Sequence, residues 1–230
     1  MKSLTAAEFV QELHKLRVSE GVEHNQGLKA DASDEFIGVR MGSIFKLAKQ
    51  FVNMPLTEVE TLLDSPVHEV RVGAVSIMDY QARSKKLPDA QRKALFDLYI
   101  RRHDRINSWD LVDRAVIYVV GGYLHDQPRD ILYKLARSKH PMERRSAILC
   151  TMFFMRQDDV EDTVKLSELL VHDDSDSVNK AVGWMLRELG KKDMSRLLQF
   201  LDTYAATMPR VTFRYATEHF TLEQKQRYAK

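Results

Sequence analysis

Cysteine and long apolar runs are scarce in this chain of 230 residues, whose single cysteine is Cys150. One cysteine excludes an internal disulfide framework and is typical of proteins of the reducing cytoplasm. No apolar run approaches the roughly 18 residues that a membrane span needs. The first residues also lack the apolar core of a signal peptide. We therefore expect a cytoplasmic protein that does not enter a membrane.

Motifs that bind nucleotides or metal ions are also missing. The nine glycines form no phosphate-binding loop, and Gly121 and Gly122 are an isolated pair. The eight histidines are scattered, without a spacing that would let them share a metal ion. The acidic run Asp173–Ser177 lacks the glycine and the terminal glutamate of a calcium loop, and it is better explained as the cap of the next helix. The sequence predicts no metal and no other cofactor.

Helical periodicity, in contrast, is nearly continuous, whereas strand-like alternation is short and Asn-Gly turns are absent. Thr5, Thr57 and Thr221 each precede a Glu or Gln by three residues, which is the spacing of a capping box. All six prolines stand where a helix can begin. We predict an all-α protein with helices near residues 4–17, 35–52, 56–64, 67–82, 89–102, 108–123, 128–137, 141–156, 159–171, 176–189, 193–206 and 210–219.

A weak internal repeat runs through these helices. Four alanines followed by Val or Ile recur at spacings of 41, 32 and 34 residues, each with a basic residue shortly before it. The alanines are Ala74, Ala115, Ala147 and Ala181, and the basic residues are Arg71, Arg114, Arg145 and Lys180. Such spacings indicate two-helix repeats of the HEAT or armadillo kind, stacked into an αα superhelix with a concave face. We expect one domain over residues 1–230, with 1–34 as a less regular helix and loop, and a row of cations suited to phosphates.

The net charge of +2 conceals an uneven distribution. Residues 80–150 carry 15 basic and 8 acidic side chains, whereas residues 1–79 carry 8 and 12 and residues 151–230 carry 12 and 13. The basic centre is either a solvated helical surface or a phosphate-binding patch. Its densest part consists of Arg83, Lys85, Lys86, Arg92, Lys93, Arg101, Arg102 and Arg105.

On two of the predicted helices, one residue lies on a face where side-chain packing alone would not place it. Trp109 and Asp113 share one helical face with Val116 and Val120, so a carboxylate lies on an apolar stripe. Trp184 lies roughly 130° from the apolar face of its helix, beside Lys180 and Arg187. An indole flanked by cations on a polar face indicates a surface that meets a ligand.

Four groups of residues resemble the DNA alkylation repair family, the AlkD-like DNA glycosylases. The most specific is Ser-Trp-Asp-Leu-Val-Asp at 108–113. The others are Gly-Val-Arg at 38–40 with Leu-Ala-Lys at 47–49, Glu-Val-Arg-Val-Gly-Ala at 69–74 with Ile-Met at 77–78, and Arg-Arg-Ser-Ala-Ile-Leu at 144–149 with Lys-Ala-Val-Gly-Trp-Met-Leu-Arg-Glu at 180–188. The resemblance covers roughly residues 35–205.

The resemblance implies a helical-repeat array whose concave face grips double-stranded DNA, and an enzyme that hydrolyses the N-glycosidic bond of N3- and N7-alkylated purines. It places the catalytic-site residues at Trp109, Asp113 and Trp184 and a phosphate-binding arginine at Arg145. Further phosphate-binding candidates are Lys180, Arg187 and Arg144. The expected partner is alkylated duplex DNA, and the expected state is a monomer without metal.

Each of these assignments has a structural alternative. Asp113 is either a carboxylate that stabilises charge on the sugar or one that pairs with an arginine such as Arg114 or Arg145. Trp109 is either a ligand-contacting indole or a core residue. If the structural alternatives hold, the protein is a non-catalytic repeat scaffold that binds DNA structures or another protein.

Overall fold

The computed structural model describes residues 4–18 and 34–228, which fold into α-helices joined by short turns. Within these residues, β-type pairing is limited to an isolated parallel bridge between Glu35 and Val67. The prediction of an all-α protein is confirmed. None of the described helices is both long and apolar enough to cross a membrane.

The helices follow one another along the chain with two short non-α segments, a 3₁₀ turn at His103–Arg105 and a π-helix at Ile117–Gly121. Their bounds are α1 Ala6–His14, α2 Met41–Gln50, α3 Leu56–Leu63, α4 His68–Ala82, α5 Asp89–Arg101, α6 Trp109–Val116, α7 Gly122–Leu124, α8 Asp130–Leu135, α9 Pro141–Leu149, α10 Thr151–Met155, α11 Glu161–Leu170, α12 Asp176–Lys192, α13 Met194–Tyr204, α14 Arg210–Ala216 and α15 Leu222–Gln226.

The predicted starts of helices hold in most cases. Thr5 and Thr221 each form a complete capping box with the residue three positions later. The box predicted at Thr57 is wrong, because α3 begins at Leu56 with Pro55 as its N-cap, so Thr57 lies inside the helix. The helix α15 lies beyond the predicted helices, although the sequence predicts the capping box with which it begins.

The predicted helix over 35–52 is wrong in its first part, since α2 begins only at Met41. Gly38 has a φ of 80°, a left-handed conformation that glycine adopts readily. The backbone N–H groups of Ile37, Gly38 and Val39 donate to the carboxylate of Glu69 at 3.0–3.4 Å instead of to helical carbonyls. This buried carboxylate therefore holds the segment extended.

The chain divides into two compact units, one ending at Tyr123 and the other beginning at Leu124. A single domain over residues 1–230 stays a prediction. In the first unit, α4 packs against α2, α3 and α6, and almost all its residues are buried. Gly73 permits the ring of Phe9 to lie against α4, because an added Cβ would stand 2.3 Å from that ring.

In the second unit, α12 has the central position and packs against α9, α11, α13 and α14. The four repeat alanines are all buried, two in each unit, on the packed pairs α4/α6 and α9/α12. Cys150 is buried as predicted, and its burial raises the pKa of the thiol far above its usual range. It is a small core residue.

Candidate functional site

The helix α6 presents the first pair of predicted residues. Trp109 is its first residue and is 44% exposed, the largest apolar side chain among those exposed in the described residues. Asp113 follows one helical turn later and is half-buried, while Leu111, Val112 and Ala115 on the other side are buried. The alternative that makes Trp109 a core residue is therefore wrong. Asp113 lies at the boundary between the core and this exposed indole.

The π-helix Ile117–Gly121 continues α6 directly. Its residues Val119, Val120 and Gly121 are buried, so the widened turn is part of the packed interior. π-Turns inside α-helices are rare and occur frequently at functional sites. This one directly follows the helix that carries Trp109 and Asp113.

The start of α6 is fixed by a bond to another helix. Asp110 accepts a hydrogen bond from Nε2 of His68, the first residue of α4, at 2.8 Å, and another from the hydroxyl of Ser108 at 2.7 Å. Burial raises the pKa of Asp110, but the hydrogen bond and charge of His68 and the Ser108 bond outweigh it, so the pKa lies below its usual value. Nothing in the local sequence indicated this contact, because His68 and Asp110 are 42 residues apart.

Arg114 directs its guanidinium toward α4. It donates to the Ser76 hydroxyl at 2.9 Å and pairs with Asp79 at 3.3 Å. It also lies over the rings of Phe45 and Tyr80, 4.4 and 4.8 Å from their centroids. Arg114 therefore joins α2, α4 and α6.

Most of the densest basic stretch is also engaged inside the first unit. Arg101 and Arg102 pair with Glu60 on α3. Arg105 donates to the carbonyls of Leu63 and Ser65 at the end of the same helix. The same holds for Arg83 with Asp79, Lys93 with Asp97, and Arg92 with the carbonyls of Ala82 and Ser84. Arg92, Arg101, Arg102 and Arg105 thus contact neighbouring helices or their ends, whereas Arg83 and Lys93 pair with a residue four positions away along the chain. Six of the eight residues already have partners within the first unit, and Lys85 and Lys86 are exposed.

The second unit brings the two predicted arginines of α9 to the start of α12. Arg145 is buried and donates through Nη1 to the carbonyl and, at 3.3 Å, to the hydroxyl of Ser177. Arg144 makes a bidentate pair with Asp173, at 2.6 and 2.9 Å, and reaches Asp174 at 2.7 Å. A phosphate would have to share either guanidinium with these partners. The assignment of both arginines as phosphate ligands stays a prediction.

The predicted face of α12 carries Trp184 between charged residues. Trp184 is half-buried, while Val178, Val182, Met185 and Leu189 on the opposite side are fully buried. Ser177, the partner of Arg145, precedes Trp184 by two helical turns on the same face, a rise of about 10 Å.

The two cations that flank Trp184 are paired. Lys180 pairs with Asp176 at 2.6 Å, and Arg187 pairs with Glu188 at 3.2 Å and with Glu218. Both side chains remain partly exposed. The indole therefore lies among ion pairs, and a phosphate that approached it would meet cations already balanced by carboxylates.

The structure thus groups the predicted residues within their own units. Trp109 and Asp113 lie together in the first unit, and Arg144, Arg145, Lys180, Trp184 and Arg187 lie in the second. Over residues 4–18 and 34–228, no three His, Cys, Asp or Glu side chains are arranged to hold a metal ion. The chemistry available to the first unit is that of a half-buried carboxylate beside an exposed indole.

Comparison with known proteins supports one family. The sequence matches the family model described as "DNA alkylation repair enzyme" over residues 4–220. A search among curated proteins finds no match. Among solved structures, the protein is similar to a predicted DNA alkylation repair enzyme from Enterococcus faecalis, with a TM-score of 0.71, 15% identity and coverage of 90% of this chain and 97% of that one.

It is also similar to AlkD2 from Streptococcus mutans, with a TM-score of 0.56, 17% identity and coverage of 93% of this chain and 98% of that one. At such identities these similarities establish a common fold. The family model covers nearly the whole sequence, and the protein therefore belongs to the family of DNA alkylation repair enzymes.

Proposed function

We propose that the protein is a DNA glycosylase that hydrolyses the N-glycosidic bond of cationic N3- and N7-alkylated purines in duplex DNA, as a step of base excision repair. The observation that carries the proposal is the pair on α6, an indole that is 44% exposed with a half-buried carboxylate one turn away. Membership of a DNA alkylation repair family supports DNA as the partner.

The chemistry of the lesion explains why one carboxylate suffices. An alkylated purine at N3 or N7 carries a positive charge, so the electron pair of the breaking C1′–N bond leaves on a neutral base that needs no general acid. The sugar becomes oxocarbenium-like as the bond stretches. A fixed anion near C1′ stabilises that charge, and more strongly where little water screens it. We assign this role to Asp113.

Completion of the reaction requires a water molecule at C1′. The water oxygen forms the new C1′–O bond, and one of its protons passes to Asp113 or to solvent. The half-buried position of Asp113 allows water to reach the carboxylate while the core side of α6 excludes it from the other direction. Asp113 can therefore stabilise the sugar and orient the water.

The indoles of Trp109 and Trp184 would pack against the sugar-phosphate backbone and the cationic nucleotide. The face of a tryptophan ring attracts cations by about 0.5–2 kcal/mol. Arg145 would bind a phosphate near the start of α12, with Lys180, Arg187 and Arg144 as further contacts. Among these four, Lys180 and Arg187 have the more accessible side chains.

The test is release of 7-methylguanine and 3-methyladenine from methylated duplex DNA. Asp113→Asn should lower the single-turnover rate about tenfold or more, which corresponds to about 1.4 kcal/mol in the barrier. Asp97→Asn, which breaks an exposed pair with Lys93 on α5, serves as the matched control and should keep the wild-type rate. Absence of release by wild-type protein that binds the DNA would refute the proposal, and so would a full rate in Asp113→Asn.

A second candidate is a non-catalytic repeat scaffold that binds another protein. It is favoured by the use of the basic stretch for contacts within the first unit, which leaves fewer cations for phosphates. A salt titration of DNA affinity separates the two. A surface that neutralises phosphates gives a steep decline of log K with log salt, whereas a protein-binding face gives little DNA affinity at any salt concentration.

A further inference from the structure

The first turn of α6 has no local side-chain cap, which is unusual for a helix that begins after serine. The Ser108 hydroxyl donates to Oδ1 of Asp110 at 2.7 Å instead of accepting a bond from the helix backbone. The second oxygen of Asp110 accepts from His68 at 2.8 Å. Trp109 therefore stands between two residues whose side chains are fixed to each other and to α4.

The other ring nitrogen of His68 faces a second carboxylate. His68 is fully buried, its Nδ1 has no hydrogen bond, and this atom faces Oδ2 of Asp34 at 3.8 Å. The other oxygen of Asp34 pairs with Nη2 of Arg71 at 2.6 Å. The ring of Phe36 lies beside the imidazole, with centroids 5.2 Å apart. Two carboxylates thus face His68, and an arginine lies behind one of them.

Arg71 completes this arrangement. It is fully buried, and its Nη1 donates to the carbonyls of Ser65 and Pro66 at 3.0 and 3.3 Å. Those carbonyls lie just before α4. Buried ions persist only where partners of opposite charge and hydrogen bonds compensate for the lost water. Here Arg71 pairs with Asp34, Asp34 faces His68, and His68 donates to Asp110. This row of buried polar contacts ends at the residue next to Trp109.

We propose that His68 is a positioning residue that sets the orientation of Trp109 through Asp110. Packing holds an indole that is 44% exposed less firmly than a buried one, so the backbone of residues 108–110 contributes to where it points. That backbone has no side-chain cap of its own and depends on the His68–Asp110 bond. The consequence for base excision rests on the proposed function, whereas the orientation of Trp109 can be measured without it.

The test compares two replacements of His68. In His68→Gln the side-chain amide nitrogen can take the place of Nε2 and donate to Asp110, whereas His68→Leu fills a similar volume without a donor. The control is Val75→Ala, which removes two methyl groups from a fully buried position of the same helix, two helical turns or about 10 Å along α4 from His68. All variants are measured at a temperature at which circular dichroism shows them folded.

Trp109 provides the first readout. The chain has two tryptophans, so in a Trp184→Phe background Trp109 is the sole indole that emits. His68→Leu should shift its emission and change its quenching by acrylamide about twofold, and His68→Gln should restore both. Val75→Ala should lower the melting temperature and leave both unchanged. If His68→Leu has the emission and quenching of wild type, or if Val75→Ala changes them equally, the inference is wrong.

Excision of 7-methylguanine from methylated duplex DNA, measured with Trp184 intact, provides the second readout. His68→Leu should lower the single-turnover rate about tenfold, with His68→Gln near the wild-type rate. If wild-type protein excises nothing, the proposed function fails while the fluorescence comparison still decides the role of His68. If His68→Leu does not fold, Asp110→Ala, which has no side-chain acceptor for Nε2 of His68, replaces it. That variant should change Trp109 emission in the same way, and an unchanged emission would overturn the inference.

Discussion

Replacing Gly183 by alanine should force apart two helices of the second unit. Gly183 lies in α12 where α14 crosses, and an added Cβ would stand 2.6 Å from Cβ of Tyr215 and 2.7 Å from the backbone oxygen of Thr212. Neither atom belongs to the far end of a flexible side chain. A change of rotamer cannot relieve the contact, so α14 must move.

The expected loss of stability follows from two opposing terms. Alanine gains about 1 kcal/mol over glycine inside a helix. Overpacking of a buried site costs about 1–3 kcal/mol, and the rigid contacts of Gly183 favour the upper part of that range. The net effect is a loss of about 1–2 kcal/mol, which for a protein of this size lowers the melting temperature by about 2–8 °C.

The same substitution at Gly42 is the matched control. No atom lies within 4 Å of an added Cβ at Gly42, which is exposed near the start of α2. Gly42→Ala should therefore raise the stability by a few tenths to about 1 kcal/mol. Urea unfolding followed by circular dichroism measures both changes. If the two variants shift the unfolding midpoint in the same direction, the packing argument for Gly183 is refuted.

Two other predictions concern ion pairs. Arg144→Met should destabilise the protein by about 2–5 kcal/mol because it leaves a buried carboxylate unpaired, since the side chain of Asp173 is only 5% exposed. Arg101→Met breaks an exposed pair and should change stability by less than about 1 kcal/mol; equal losses in urea unfolding would contradict this distinction. Asp110→Asn should reduce stability at neutral pH. Because the folded-state pKa of Asp110 is lowered, the carboxylate stabilises the fold above its unfolded pKa of about 3.9 and loses that effect as pH falls through the folded value. The stability difference between wild type and Asp110→Asn should thus decline as pH falls below about 4, and a difference that does not decline with falling pH would argue against an ionised Asp110 in the folded protein.

Helical periodicity and proline positions predicted most of the fold because both act within a few residues of one another. Pro88 and Pro209 are the N-caps of α5 and α14, and Pro141 is the first residue of α9. A proline there lacks only an N–H that the helix does not use. The same local logic identified the capping box at Thr5, which the structure contains.

Contacts between distant segments could not be predicted in this way. The helix predicted from residue 35 begins too early because Glu69, on another helix, binds the N–H groups of Ile37 and Val39 and keeps the segment extended. The bond between His68 and Asp110 also joins residues far apart in the sequence. Neither carboxylate differs, within its own sequence neighbourhood, from one on a solvated helical face.

Charge counted by stretches of sequence was misleading for the same reason. Residues 80–150 have an excess of basic side chains and residues 1–79 an excess of acidic ones. Arg101 and Arg102 pair with Glu60, so part of each excess cancels across the packed helices. For the candidate site, the geometry of a single helix correctly predicted that Trp184 lies off the apolar face of α12. Helix geometry left Trp109 either exposed or in the core, and the family resemblance favoured the exposed position that the structure shows.

The π-helix at Ile117–Gly121 lets the helical segment that begins with α6 change in length by one residue. A turn with i→i+5 bonding holds one residue more than an α-turn, so deleting one residue there can restore regular α-helix without breaking the rod. Because the extra residue is absorbed within the widened turn, such a deletion would leave Trp109 and Asp113 facing nearly the same way relative to the residues after Gly121. A change of one residue at this point is therefore a change of length that the helix with the exposed indole can absorb without a change of direction.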